Sequence, residues 1–138
     1  MRFMVMAMVT KESEGGPLPK PEAFAAMQKY NEEAAKAGIL LAAEGLSASS
    51  QAIRVKFNGD ERIVMDGPYA ETKEVVAGFM IIQVKSKEEA IEWVKRAPNG
   101  SATGEGMVEI RKLMDIEDFS DMLGDGFTPN EEVAKVKY

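Results

Sequence analysis

The 138-residue chain contains no cysteine and no histidine. Without cysteine there is no disulfide framework, no thiol nucleophile and no zinc–thiolate site. Without histidine the chain lacks the commonest general base and the commonest transition-metal ligand, so Ser-His-Asp and Cys-His mechanisms are excluded. The remaining metal option is a carboxylate site for magnesium or calcium, and no spacing of Asp and Glu resembles a loop built for one. We therefore predict no metal and no cofactor.

The chain also lacks an excess of basic residues and any apolar run long enough to cross a membrane. Its net charge is −6, which argues against a nucleic-acid partner because phosphate backbones attract basic surfaces. The N-terminal segment MRFMVMAMVTKE has no small-residue cleavage pattern and is shorter than a spanning helix. We expect a first strand there, no membrane partner, and a soluble, cytoplasmic protein.

The pattern of apolar residues predicts a strand, a helix, a strand, a hairpin, a central strand, a helix and a last strand. The strands are predicted at residues 2–9, 39–46, 53–57, 62–65, 75–84 and 107–114. One helix begins at Pro21 and ends before Gly38, and the other is capped by Ser86 with Glu89 completing a capping box. Residues 10–20 are predicted to form a loop, either a plain connector or a mobile flap.

The stretch from Asp66 to Val84, DGPYAETKEVVAGFMIIQV, organises this arrangement. Its apolar half has the composition of a strand buried on both faces. Pro68 cannot donate to a ladder, and Gly67 tolerates backbone angles denied to other residues, so strand pairing should stop at the Asp66-Gly67-Pro68 bend. The stretch therefore predicts a central strand with a polar loop directly before it.

Residues 1–115 are predicted to form one α+β domain, and residues 116–138 a C-terminal extension with short helices, one of them starting at Thr128-Pro129-Asn130-Glu131. The domain has the ferredoxin-like order βαββαβ with an extra hairpin, which places both helices on one face of an antiparallel sheet. The first and central strands are apolar on both sides, so the other sheet face needs a cover. A second copy is the simplest cover, and two sheets face to face would form a dimeric α/β barrel.

The run DGPYAETKEVVAGFMIIQVKSKEEAIEWVKRAP closely resembles the signature of the DGPF subgroup of the YCII-related family, with Tyr69 where the name has Phe. Ala43-Glu44-Gly45-Leu46 and Val108-Glu109-Ile110-Arg111 resemble the flanking strands of that family. The resemblance implies a ferredoxin-like subunit of a dimeric α/β barrel, and a sigma factor as a partner. Some members of the wider family are enzymes, including a dehydrochlorinase, in which a His–Asp pair is held to be catalytic. Asp66 matches that aspartate, and the chain has no histidine to complete the pair.

Two residues of the bend are candidates for chemistry. Asp66 is either a general base or ligand anchor at the barrel mouth, or a turn aspartate that bonds to nearby backbone N–H groups. Tyr69 either donates a phenolic hydrogen bond to a substrate oxygen, or buries its ring with the hydroxyl at the rim. Each residue therefore carries one functional and one structural interpretation.

Four charged residues complete the candidate site. Glu71 and Lys73 lie in the charged loop, where they either steer a small polar ligand or are simply solvated. Glu44 lies in a strand of apolar and small residues, and it is the second candidate base. Arg111 is the cation that could pair with Glu44. The two residues form either a structural ion pair or a site in which the guanidinium binds the carboxylate of a ligand.

Three functions are compatible with the sequence. The first is a barrel protein that binds a small molecule in its homodimer, because concave interiors with few polar groups are the usual ligand sites. The second is a cofactor-independent lyase or isomerase that uses Asp66 or Glu44 as base, with Tyr69 or Arg111 to hold an oxyanion. The third is a regulatory interaction module that binds through the acidic segment 115–125.

Overall fold

The computed structural model describes residues 1–14, 19–69, 73–100 and 104–136, and of residues 11 and 12 only the backbone. The strands are β1 (Arg2–Thr10), β2 (Leu40–Gly45), β3 (Ile53–Asn58), β4 (Glu61–Asp66), β5 (Glu74–Gln83) and β6 (Met107–Lys112). The helices are α1 (Lys11–Glu14), α2 (Pro21–Lys36), α3 (Lys87–Lys95), α4 (Ser120–Leu123) and α5 (Glu131–Ala134), with 3-10 turns at Ser49–Gln51 and Ile116–Phe119.

Four strands form one antiparallel sheet in the order β2-β5-β1-β6. With the two long helices between strands, this is the predicted ferredoxin-like α+β arrangement, and β5 is the central strand that its apolar run predicted. A register shift beside Ala7 and Met8 leaves one extra residue on β5, Ala77, in the pairing of β1 with β5. The small residues Ala77 and Gly78 in the run thus mark an irregularity in the strand.

The core lies between one face of the sheet and the two long helices. Phe3 and Val5 of β1 and Ile82 of β5 contribute from the sheet, and Ala34 of α2 and Ala90 of α3 contribute from the helices. All five are buried, and Ala34, Ile82 and Ala90 have no exposed surface. Because side chains alternate along a strand, the residues between these core positions point to the opposite side, which we call the outer face.

The outer face is mainly apolar. It carries Met4, Met6 and Met8 of β1 and Phe79 of β5, which are half-buried, and Ile81 of β5, which is buried. The long helices pack on the other side of the sheet, with the core. The prediction that β1 and β5 have apolar residues on both sides therefore matches the structure, and neither of the two long helices packs on the outer face.

The hairpin β3–β4 is a separate two-stranded sheet that pairs with no other strand in the described part of the chain. Its register runs from Ile53 opposite Asp66 to Asn58 opposite Glu61, with the turn at Gly59. Every residue of both strands is exposed. The alternation predicted a strand with one wet face, whereas in the single subunit both faces are accessible to water.

The predicted helix ends are mostly confirmed. The Ser86 Oγ accepts a hydrogen bond from the Glu89 N–H, so Ser86 caps α3 as predicted. The Glu89 carboxylate accepts from the N–H of Lys85 and not from that of Ser86, so the predicted capping box is not completed. Gly38 follows α2 with φ of 74°, as expected of a residue that stops a helix. Two further expectations were wrong. Residues 11–14 form one helical turn within the predicted loop. The helix expected to start at Thr128 begins at Glu131, and Asn130 caps it by accepting from the N–H groups of Glu132 and Val133.

Candidate functional site

The Asp66-Gly67-Pro68 bend is packed closely against the chain that precedes the hairpin. A Cβ atom on Gly67 would lie 2.8 Å from the carbonyl oxygen of Ser49 and 3.0 Å from that of Ser50. The Gly67 N–H donates to the carbonyl oxygen of Ala52 at 3.0 Å, and the Gly67–Pro68 peptide bond is cis. Gly67 does not have a positive φ. The sequence-based reason for this glycine, backbone freedom, was therefore wrong: the position needs a residue without a side chain.

Tyr69 is buried at the base of the hairpin. Its hydroxyl lies 3.0 Å from the carbonyl oxygen of Ala52 and 2.8 Å from that of Met65, and the single hydroxyl proton is shared between these two acceptors. The Arg54 guanidinium lies 3.6 Å from the centre of its ring, which is cation–π distance. Of the two interpretations, the structure supports the buried ring, with its hydroxyl bonded to backbone. Its contact with a ligand stays a prediction.

Asp66 ends β4 and is exposed. No hydrogen bond joins its carboxylate to another residue within the described ranges, so the backbone-bonded turn aspartate that the sequence allowed is not observed there. Lys73 is exposed immediately before β5. Glu71 lies outside the described residues, so its predicted role in ligand binding stays a prediction.

Glu44 and Arg111 project from the same face of the sheet but from opposite edges. Glu44 of β2 stands opposite Phe79, which stands opposite Met6, whereas Arg111 of β6 stands opposite Met4. Two strands separate them, which corresponds to about 14 Å across the sheet. The predicted Glu44–Arg111 pair is therefore not formed within one subunit, because the strand order places β2 and β6 at the two ends.

The candidate residues thus divide into two places. Glu44 and Asp66 lie near the end of the sheet where β2 finishes, since the bend packs on Ser49 and Ser50 only a few residues after Gly45. Arg111 lies on the other edge. Among the described residues, no group of three or more Asp or Glu side chains is placed to hold a metal ion.

One contact at the bend was not predicted from the sequence. The Glu14 carboxylate accepts hydrogen bonds from both the N–H and the hydroxyl of Ser49. This fastens α1 to the segment on which Gly67 packs. The contact joins residues 35 positions apart and leaves no local pattern, so only the folded chain shows it.

Comparison with known proteins agrees with this architecture. The model of the YCII-related domain matches residues 1–117. An uncharacterized protein, R00369, of Rhizobium meliloti (strain 1021) is 35% identical over 90 residues, which cover 65% of this chain and 69% of that protein. In the described part of the chain, no helix has the length and apolar character needed to cross a bilayer.

Proposed function

The chain belongs to the YCII-related family, and from this premise we propose that two copies pair through the outer faces of their sheets and bind a small, largely apolar molecule between them. The observation that carries the proposal is the outer face itself. Met4, Met6, Met8 and Phe79 are half-buried and form an apolar surface on the side of the sheet opposite the long helices, with the buried Ile81 between them. A surface of this kind is typical of a contact between subunits or of a ligand site.

The chemistry of the outer face favours an apolar ligand with a polar end. Methionine side chains are flexible and polarisable, so they adapt to varied apolar shapes and make favourable contacts with aromatic rings. Polar groups lie at the edges: Glu44 on β2, and Glu109 and Arg111 on β6. In a face-to-face pair these groups rim an apolar space, where they would orient a ligand while the methionines and Phe79 enclose it.

The oligomeric state is the first test. Sedimentation velocity at micromolar concentration should find a dimer of the wild-type protein. Met6→Lys should shift it to monomer, because a charge in the apolar contact loses its water. Met27→Lys, a matched change on helix α2, where Met27 is exposed, should remain dimeric. A monomeric wild-type protein, or a Met6→Lys dimer of unchanged affinity, would refute the proposed pairing.

Ligand binding is tested on the same proteins. Native mass spectrometry of freshly purified wild-type dimer should find a retained small molecule, and a metabolite-library thermal-shift screen should find compounds that raise its melting temperature. Compounds that bind between the sheets should raise the melting temperature of Met27→Lys equally and leave that of Met6→Lys unchanged. Equal shifts in all three proteins would place binding elsewhere.

A second candidate function is catalysis by a carboxylate base, favoured by the position of Glu44 on the outer face. In the paired form Glu44 would face the enclosed ligand, whereas Asp66 lies at the bend. With a ligand in hand, Glu44→Gln should retain binding and abolish turnover, and Asp66→Asn should retain both. Loss of turnover in Asp66→Asn alone would assign the base to the bend.

A further inference from the structure

The hairpin β3–β4 forms an arm with one mainly apolar face. Residues that alternate along its two strands put Ile53, Val55, Phe57 and Val64 on the same side, with Asp66 opposite Ile53 and Arg62 opposite Phe57 at its two ends. Phe57 is 70% exposed, Ile53 68% and Val64 66%. The Arg62 guanidinium lies 4.2 Å from the centre of the Phe57 ring and leaves that ring largely accessible. Three large aliphatic side chains and a phenyl ring are thus presented to water together.

The arm is held firmly at its base. The Tyr69 hydroxyl contacts the carbonyl oxygen of Ala52, directly before β3, and that of Met65, in β4. The Gly67 N–H also donates to the Ala52 carbonyl oxygen. Arg54 of β3 stacks on the Tyr69 ring. The direction of the arm is therefore set before any partner arrives, which lowers the entropy lost on binding.

An arm of this composition needs a cover. A two-stranded hairpin alone is at best marginally stable in water, because it buries little apolar surface. The core of the described part of the chain is formed by the four-stranded sheet and the long helices, and no residue of the arm belongs to it. The apolar alternation of β3 is the pattern of a strand with one buried face, and that face is not buried by the described residues of its own subunit. In β4 only Val64 of the consecutive apolar residues Ile63, Val64 and Met65 lies on that face.

Two observations favour a second copy of this chain as the cover. The first is area. The outer face of the sheet measures about 15 by 20 Å from strand spacing and rise, or about 300 Å² in projection. A stable dimer buries about 800 Å² on each partner, so the outer face alone falls short and the arm is the nearest source of further apolar area.

The second observation is charge. The chain carries a net charge of −6, which opposes the approach of two copies. Residues 53–66 contain three basic residues, Arg54, Lys56 and Arg62, and three acidic ones, Asp60, Glu61 and Asp66, so the arm is neutral. A neutral arm with one mainly apolar face approaches a second acidic copy without net repulsion, whereas it offers no excess positive charge to a nucleic acid or an anionic membrane.

We propose that the arm of each subunit lays its apolar face, Ile53, Val55, Phe57 and Val64, against the partner subunit and clasps the dimer. The inference rests on the proposed pairing of the outer faces and adds a second contact to it. Since a two-fold axis repeats every contact, both arms dock in the same way. The arms thereby close the ends of the space between the two sheets.

The chain offers a closely matched pair of variants for the test. Phe57 on the arm and Phe24 on helix α2 are both exposed phenylalanines, at 70% and 63%. Dimer dissociation constants are measured by sedimentation equilibrium for wild type, Phe57→Lys and Phe24→Lys, with circular dichroism to verify that each is folded. Phe57→Lys should weaken the dimer at least about tenfold, the effect of losing one buried aromatic anchor, and Phe24→Lys should not.

The outcomes separate this inference from the pairing on which it rests. A wild-type dimer with an unchanged dissociation constant in Phe57→Lys would overturn the clasp and leave the pairing intact. A wild-type monomer would overturn both. Because the chain has no cysteine, Val55→Cys labelled with acrylodan gives a second readout. Its emission should shift to the blue as the dimer forms in a dilution series, and emission that is independent of concentration across the dissociation range would also overturn the clasp.

Discussion

The Tyr69 hydroxyl lies 2.8 Å from the carbonyl oxygen of Met65, so the residue that follows the bend holds the strand that precedes it. The same hydroxyl reaches the Ala52 carbonyl just before β3. One side chain thus connects both ends of the arm. The Ala52 carbonyl also accepts from the Gly67 N–H.

Tyr69→Phe should loosen the arm without unfolding the domain. The variant keeps the buried ring and the stacking of Arg54 but loses the hydroxyl, at a cost of about 1 kcal/mol for a buried hydrogen bond. Hydrogen exchange should show faster exchange of the backbone amides of residues 53–66.

The control is Tyr30→Phe, which removes a hydroxyl that lies 2.8 Å from the Trp93 carbonyl in the helical layer. It should lower the free energy of unfolding comparably and leave exchange in the arm unchanged; arm exchange in Tyr69→Phe equal to wild type would contradict the assignment.

Gly67→Ala should destabilise the fold by about 1–3 kcal/mol, the usual cost of forcing an extra group into a packed site. The added methyl would meet the backbone carbonyls of Ser49 and Ser50, which cannot rotate away as a side chain can. Gly45→Ala is the control, because a Cβ on Gly45 meets nothing within 4 Å and should change stability by less than about 0.5 kcal/mol. Urea denaturation of both variants checks this, and equal stabilities would show that the bend can relax.

The bend also shows where sequence reasoning stops. The dipeptide Gly67-Pro68 correctly predicted the end of strand pairing, since that is a local property of the backbone. The reason for Gly67 was misread because Ser49 and Ser50 approach it from 17 or 18 positions away, and no local pattern encodes that approach. The Glu14–Ser49 contact escaped prediction for the same reason.

The strands show the same division. The pattern of apolar residues, alternating in β3 and continuous in β1 and β5, correctly predicted where the strands lie, but it left open whether Glu44 and Arg111 project on the same side. It could not give the order β2-β5-β1-β6, and that order alone separates these two residues across the sheet. For the hairpin, alternation showed that one face is apolar, yet a period of two residues carries no information about what covers that face.

Alkaline pH should weaken the fold through Tyr30. Burial raises the pKa of its hydroxyl above the ordinary value of 10.0, and the nearby positive charge of Arg96 offsets this only in part. Because the unfolded chain loses this proton at lower pH than the folded chain, the free energy of unfolding should fall as pH rises above 10.0 toward the folded-state pKa. Tyr30→Phe should reduce that slope, measured by urea denaturation from pH 8 upward. A residual slope remains, because the Asp118 carboxylate raises the pKa of Lys112 as well; an identical slope in Tyr30→Phe would exclude Tyr30 as its source.

Acid should release the start of the C-terminal extension through Asp118. A hydrogen bond from Lys112 and another from the Asp115 N–H hold the pKa of the Asp118 carboxyl below its ordinary value of 3.8. Since its folded-state pKa is lowered, the stabilisation from this carboxylate is present above pH 3.8 and is lost as pH falls through the folded-state pKa.

The Asp115 amide reports directly on this carboxylate, because it donates to Asp118 at 2.7 Å. Its NMR chemical shift should titrate with a midpoint below 3.8 and should lose that titration in Asp118→Asn, while Asp121→Asn, a change of an exposed aspartate in α4, should preserve it. A wild-type midpoint at or above 3.8 would mean that the bonds from Lys112 and Asp115 to Asp118 do not persist in solution.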